Sequence, residues 1–220
     1  MRRGSTLMLV HFGGFFDTPQ PPVPVGIVHG IDVSNFQDAN LTAIIKQYNA
    51  KHVVVRMPLA GEIPSLQHAY DQLHSAVDNG ATVAIYYWGY ASWSPEASTE
   101  QALERWEGAH VGALPVLWPD IEEYNDHGNI SCPNQDWTLR ACNYGASLGQ
   151  RMGVYSSDYM IDKWWQHWPP ELDAYFWWSA NYNYGPTLNI PSKYWSHVDA
   201  HQYRGSPIDL DVFAGEVTVP

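Results

Sequence analysis

The chain is poor in cysteine, in charge and in phenylalanine. Cys132 and Cys142 are the only two thiols among 220 residues. Thiols so close in sequence leave a short bridged loop and two unrelated side chains equally open, and they fix no redox compartment. Charged residues make up 15% of the chain, against about a quarter in ordinary soluble proteins. Basic residues are scarcer still: 11 Lys and Arg face 23 Asp and Glu, for a formal net charge of −12. That balance excludes a basic nucleic-acid footprint and argues against electrostatic adhesion to an anionic surface. No apolar run reaches the roughly 18 residues that a membrane span needs. There is no G-x-G-x-x-G and no P-loop, so the usual nucleotide sites are missing. Ten His residues are present, including the pair Asp126-His127, but no H-E-x-x-H or C-x-x-C arranges them for a metal. The expectation is no metal and no cofactor.

What is abundant is the aromatic side chain with a polar edge. The chain holds 11 Trp and 14 Tyr against 6 Phe. Such residues offer an apolar face and a hydrogen-bonding handle, which suits sugar rings and equally suits a large core. A hydrophobic share of 45% rules out a disordered chain.

The N-terminus, Met1-Arg2-Arg3 followed by Leu7 to Phe12, faintly resembles a signal peptide. His11 interrupts it and no A-x-A-like cleavage site follows, so residues 1–25 read as a tail ending in the Pro-rich linker Pro19 to Pro24. From Gly26 the chain alternates. Strands are expected at 27–33, 52–57, 82–88, 114–121 and 153–155, and helices at 39–48, 66–77, 95–106, 135–150 and 157–165. Ser94 with Pro95 is a helix start. Strands at 175–180, 198–203 and 208–213 then follow without long helices between them. Repeated strand–helix units imply a parallel sheet, and about eight largely apolar strands imply closure. The fold class is therefore α/β: an irregular TIM-like barrel of about five βα units followed by three further strands, spanning 26–214, with 215–220 as a C-terminal tail. An open doubly wound sheet is the alternative. Trp164-Trp165-Gln166-His167-Trp168 reads first as helix and loop packing and second as a sugar platform.

In a parallel barrel the functional side chains gather at the C-terminal ends of the strands. Asp32 ends the first strand, Asp120 and Glu122 end the fourth, and Asp209 and Asp211 lie on the last. Closure makes the first and last strands neighbours, which brings Asp32 near Asp209. Asp120 and Glu122, two apart on a strand, share a face, with Ile121 and Glu123 turned away. Two carboxyls in a poorly solvated cleft cannot both ionise easily, so one becomes a proton donor beside an anion. Glycosidic cleavage asks for that pairing. A lone D-x-E is a weak motif, and Asp209 and Asp211 equally suit loop caps; three strands delivering acids to one rim is the stronger signal.

These residues resemble the family 25 glycoside hydrolases, the N-acetylmuramidase class of lysozymes found in bacteria, phages and some fungi. The resemblance spans most of Gly26 to Phe213. It is carried by Gly30-Ile31-Asp32-Val33-Ser34 with Phe36-Gln37, by Asp120-Ile121-Glu122, by Trp178-Ser179-Ala180-Asn181-Tyr182 (W-x-A-x-Y), by His201-Gln202-Tyr203 (W-Q-Y), and by Ile208-Asp209-Leu210-Asp211-Val212-Phe213 (V-D-L-N-x-F). The resemblance implies hydrolysis of the β-1,4 bond between N-acetylmuramic acid and N-acetylglucosamine, hence lysis of bacterial cell walls, with peptidoglycan glycan strands as the partner. It implies Glu122 as general acid, with Asp120 orienting the substrate's 2-acetamido group or attacking directly, and Asp32 and Asp209 completing a carboxylate ring. Tyr86, Tyr87, Trp178, Tyr182 and Gln202 would line the sugar cleft; retention of configuration is the expectation, and inversion stays open because two acids two residues apart serve either carboxyl separation. His201 replaces the usual aromatic, and Val55-Arg56-Met57-Pro58-Leu59 departs from the family's K-A-T-E-G-like second strand. The protein is expected to act outside the cytoplasm, secreted or phage-encoded, as a monomer and without a membrane span; virion association stays open. The alternatives are a non-catalytic glycan-binding or virion structural protein on the same scaffold and a chitinase-like glycosidase. The family 18 chitinase pattern D-x-x-D-x-D-x-E, ended at Glu122, would need acids at Trp118 and Pro115.

Overall fold

The computed structural model describes residues 26–126 and 129–220. The expected N-terminal tail and Pro-rich linker, and His127 of the Asp126-His127 pair, lie outside the described residues.

Eight strands close into a barrel. Five of them, β1 (Ile27–Val33), β2 (His52–Arg56), β3 (Thr82–Trp88), β4 (Leu117–Asp120) and β7 (Gly153–Ser156), are each followed by a helix. The helices are α1 (Thr42–Tyr48), α2 (Leu66–Asp78), α3 (Pro95–Ala109), α4 (Gln135–Ser147) and α5 (Asp158–Trp164). A hairpin of β5 (Tyr124–Asp126) and β6 (Asn129–Ser131) interrupts the passage from β4 to α4. The last three barrel strands are β8 (Phe176–Ala180), β9 (Ala200–Gly205) and β10 (Asp209–Ala214). The order around the barrel is β1-β10-β9-β8-β7-β4-β3-β2. Strand β1 pairs with both β2 and β10, so the open doubly wound alternative is excluded. The pairs from β1 through β9 by way of β2, β3, β4, β7 and β8 are parallel, while β10 runs antiparallel to both its neighbours.

The helices start where their caps dictate. Ser65, Ser94, Asn134 and Ser157 each accept a hydrogen bond from a first-turn N–H of α2, α3, α4 and α5. Such a cap satisfies one of the donors a helix end leaves free. The barrel interior is aromatic. Trp118, Trp178 and Phe213 are almost fully buried, and Trp178 packs edge-on or tilted against Tyr86, Trp118, Tyr155 and Phe213 at centroid distances of 4.7–6.3 Å. Gly153 is required here. A Cβ at that position would lie 2.1 Å from the Trp118 ring.

The Trp-rich segment after α5 is packing. Trp165 stacks on Trp168, which packs on Trp195, and Trp195 stacks on Trp177 at 3.9 Å. Residues after β10, read above as a tail, pack on the body: Val217 is fully buried, and the Arg151 guanidinium donates to the carbonyls of Val219 and Glu216 at 2.8 and 2.7 Å. Cys132 and Cys142 are separate buried free thiols. Burial raises both above the ordinary thiol range, Cys132 to about 12. No helix among the described residues is long and apolar enough to cross a membrane.

Candidate active site

A cavity of about 230 Å³ opens at the C-terminal rim of the parallel strands, lined by Asp32, Asp120, Glu122, Asp209, Tyr86, Trp178, Tyr182 and Gln202 among others. Four of the acids expected at the rim are here; Asp211 of the last strand does not line the cavity. Asp32 is the last residue but one of β1, Asp120 ends β4 and Glu122 follows two residues on. Asp209 begins β10, and the antiparallel run of that strand puts its start at this rim, in register opposite Asp32. Ile121 is buried outside the cavity, and Glu123 turns away to Lys163 and the Trp164 indole.

One expected residue is misplaced. Tyr87 does not line the cavity; it is fully buried on the other face of β3, its hydroxyl 2.8 Å from Thr99 Oγ1 of α3. Successive strand side chains point to opposite faces, so Tyr86 and Tyr87 cannot both face the barrel mouth. The same alternation brings in residues not anticipated. Arg56, Trp88 and Tyr155 face the cavity, with Ser34 and Phe36 from the loop after β1. Trp88 is two residues beyond Tyr86, which is the signal that would have found it.

Gln202 is the hub of the floor. Its Nε2 donates to Asp32 Oδ2 at 2.7 Å, and its Oε1 accepts from the Tyr155 and Tyr182 hydroxyls at 3.0 and 2.5 Å. A bulge makes this possible: the pairing of β9 with β10 shifts between Leu210 and Asp211, so that Asp211 pairs with Gln202 while Leu210 pairs with Arg204. Bulges re-aim side chains next to sites.

The carboxyls are held above their ordinary range. Burial pushes Asp32 up to about 8, Asp209 adds to the rise, and the hydrogen bond from Gln202 opposes it. Burial raises Asp120, with Glu122 as the next cause and Arg56 in opposition. Glu122 is raised by burial and then by the charge of Asp209; hydrogen bonding from Tyr155 lowers it. Asp209 is pushed up to about 6 by burial. Among the described lining residues Arg56 is the one cation. It is ion-paired with Glu62 at 3.2 Å and lies over the Trp88 ring at 4.8 Å. The arrangement therefore keeps protons on carboxyls beside carboxylates, in a mouth walled by aromatic rings.

A wider groove of about 550 Å³ shares Phe36, Arg56 and Trp88 with the cavity and continues past Tyr90, Trp93 and Tyr124. Its rings lie edge to face or tilted, with Tyr90 centroids 4.5 Å from Trp93 and 4.8 Å from Tyr124. No group of His, Cys, Asp and Glu among the described residues is arranged to hold a metal ion.

No family model matches the chain, and no curated protein matches it in sequence. Solved structures share its fold. The modular autolysin LytC from Streptococcus pneumoniae, in complex with a synthetic peptidoglycan ligand, superposes with a TM-score of 0.68 at 17% identity over 85% of this chain. This chain spans about half of that autolysin's length (46%). A family GH25 lysozyme from Aspergillus fumigatus has a TM-score of 0.68 at 16% identity, covering 89% of this chain and 100% of the other. The catalytic domain of endolysin ply40 from bacteriophage P40 of Listeria monocytogenes has a TM-score of 0.61 at 17% identity, covering 88% and 96%. The irregular barrel is thus shared with family 25 lysozymes and endolysins, in agreement with the motif resemblance. At these identities the likeness is one of fold.

Proposed function

We propose that the chain is a peptidoglycan hydrolase of the family 25 type, cleaving the β-1,4 bond between N-acetylmuramic acid and N-acetylglucosamine. The observation that carries this reading is the convergence of Asp32, Asp120, Glu122 and Asp209, from three strands, in one aromatic-walled cavity. Glu122 is the more accessible of the central pair, since Asp120 is only 4% exposed. Raised by burial and by Asp209, Glu122 holds a proton that it delivers to the glycosidic oxygen. Asp120, raised by burial and by Glu122 with Arg56 in opposition, shares one charge with Glu122, and in its ionised form it supports the positive charge that develops at the anomeric carbon. Asp32 and Asp209 set the field around the pair. Tyr86, Trp178, Tyr182 and Gln202 shape the sugar site, and the adjoining groove has room for further sugars of the same strand. The chemistry needs no cofactor. The site of action is the bacterial cell wall, outside the cytoplasm.

Purified cell walls and soluble glycan fragments test this. The expected result is a fall in turbidity with new reducing ends on N-acetylmuramic acid. New reducing ends on N-acetylglucosamine, or turnover of chitin oligomers in place of peptidoglycan, would assign a different glycosidase. Tight glycan binding with no turnover would make the protein a binding module.

A further inference from the structure

Below the mouth of the cavity lies a carboxyl that the proposed reaction leaves unused. Asp211 faces into the barrel from β10 and is 0% exposed. Trp178 Nε1, from β8, donates to its Oδ1 at 3.0 Å. Its Oδ2 is buried and receives no hydrogen bond. The groups that face it are Asp32 from β1, Asp209 from its own strand, and Gln202 and Tyr203 from β9. Arg56 is engaged with Glu62 and Trp88 near Asp120, and His52 lies against Phe213 with its ring held neutral by burial. An ionised Asp211 would be an anion in a dry site, beside like charges, with one indole N–H for support. Such an anion is costly, and the usual escape is to keep the proton. A proton on Oδ2 turns the orphan atom into a donor, and Asp32 is the acceptor within hydrogen-bonding reach.

We propose that Asp211 is a positioning residue that works as a neutral acid, its Oδ2–H donating to the Asp32 carboxyl and fixing it against Gln202 beneath the substrate. Asp32 is then gripped by two donors from two strands. The electrostatics agree: burial holds Asp211 well above the ordinary carboxyl range, while its hydrogen bond lowers Asp32. Only the activity arm of the test rests on the glycosidase reading.

The first arm is carbon-13 NMR of the full chain labelled at aspartate Cγ, with the Asp211 signal assigned by its loss in Asp211→Asn. The expected result is a signal that stays at the protonated position from about pH 4 to about pH 8, where an ordinary carboxyl has long ionised. A signal that moves to the ionised position below about pH 5 overturns the proposal. In the second arm, Asp211→Leu is expected to lower wall hydrolysis at least ~10-fold and to shift its pH profile, while Asp211→Asn, whose amide still donates, recovers at least ~10-fold over the leucine variant with the wild-type profile. Two folded variants with equal losses overturn it. Should Asp211→Leu fail to fold, a displaced pH profile in Asp211→Asn overturns it as well. Should the wild type hydrolyse no glycan, the NMR arm decides alone.

Discussion

Replacing Asp32 by Asn is expected to stabilise the protein at neutral pH while disabling it. The carboxyl is 5% exposed and pushed up to about 8 by burial and by Asp209, against 3.8 for an ordinary aspartate. The folded chain therefore holds a proton that the unfolded chain releases. For a raised pKa the contribution to stability is fully present below the unfolded value and is lost as pH climbs toward the folded one. Each pH unit above 3.8 removes about 1.4 kcal/mol, so on the order of 4 kcal/mol is forgone at pH 7 and almost nothing at pH 4. Asparagine fits the same cage. Its oxygen accepts from Gln202 Nε2 as the Asp32 carboxyl oxygen does. The expected gain at pH 7 is then on the order of 10 °C in Tm for a chain of this size. His52 titrates in the opposite sense: buried and pushed down to about 3, it costs stability as pH falls through 6.5. Both proteins carry it, so it cancels in the difference. Thermal and urea unfolding of wild type and Asp32→Asn near pH 4 and pH 7 measure the effect, beside wall hydrolysis. An equal gain at both pH values would refute the linkage, and no gain at pH 7 would refute the burial cost itself.

Glu122→Gln keeps the shape of the proton donor and removes its proton, so wall hydrolysis should fall at least ~10²-fold with folding intact. Near-wild-type lysis by the folded variant would move the acid elsewhere. Asp209→Asn removes a like charge that raises Glu122, so the alkaline limb of kcat/KM should move to lower pH. A limb that stays in place would mean that Asp209 does not act on the pair. Gly153→Ala should destabilise by about 3 kcal/mol or more, because its Cβ meets the fully buried Trp118 ring. Urea midpoints would show it, and an unchanged midpoint would contradict the packing of the barrel interior.

Strands were legible where both faces are buried. Thr82–Trp88 reads as a near-continuous apolar run and forms over those bounds, and Ile27–Val33 also forms as read, although only its second half is buried. Helix starts were legible where a cap is written in the sequence, as at Ser94-Pro95; Ser157, read as the first helical residue, instead caps α5 from the position before it. Residues 39–41 were read as helical, but the Asn40 side chain accepts from the Thr42 N–H and holds the chain in a turn until α1 begins at Thr42. The fourth strand was read as 114–121 and forms over Leu117–Asp120 alone, because Leu117 is the first residue whose N–H finds the neighbouring chain, at Arg151. The β5–β6 hairpin is short and polar, with no alternation to reveal it. In the site, the acids were legible because barrel closure and strand ends decide their place. Tyr155 and Arg56 were not, since each is one inward residue on a strand whose inward face the sequence does not mark. Tyr87 shows the converse: an aromatic pair on a strand was read as one wall, and the pleat splits it.

The break in the barrel's regularity is what builds the site. Were β10 parallel, Asp209 would sit at the far end of the barrel from Asp32. Running antiparallel, it enters at the rim, and its first residue stands opposite the last turn of β1. The bulge against β9 then pairs Asp211 with Gln202, so a donor and an acid reach Asp32 from two strands at one depth. Carboxyls so placed repel one another and have Arg56 as the one cation among the described lining residues, which costs folding free energy. The offset is directly below: Trp178 donates its N–H to Asp211 while four other rings enclose its indole. Aromatic contacts of this kind are worth ~0.5–1.5 kcal/mol each beyond their burial. The tryptophan therefore supports Asp211 and closes the floor beneath the other acids, which helps to keep protons on the buried carboxyls.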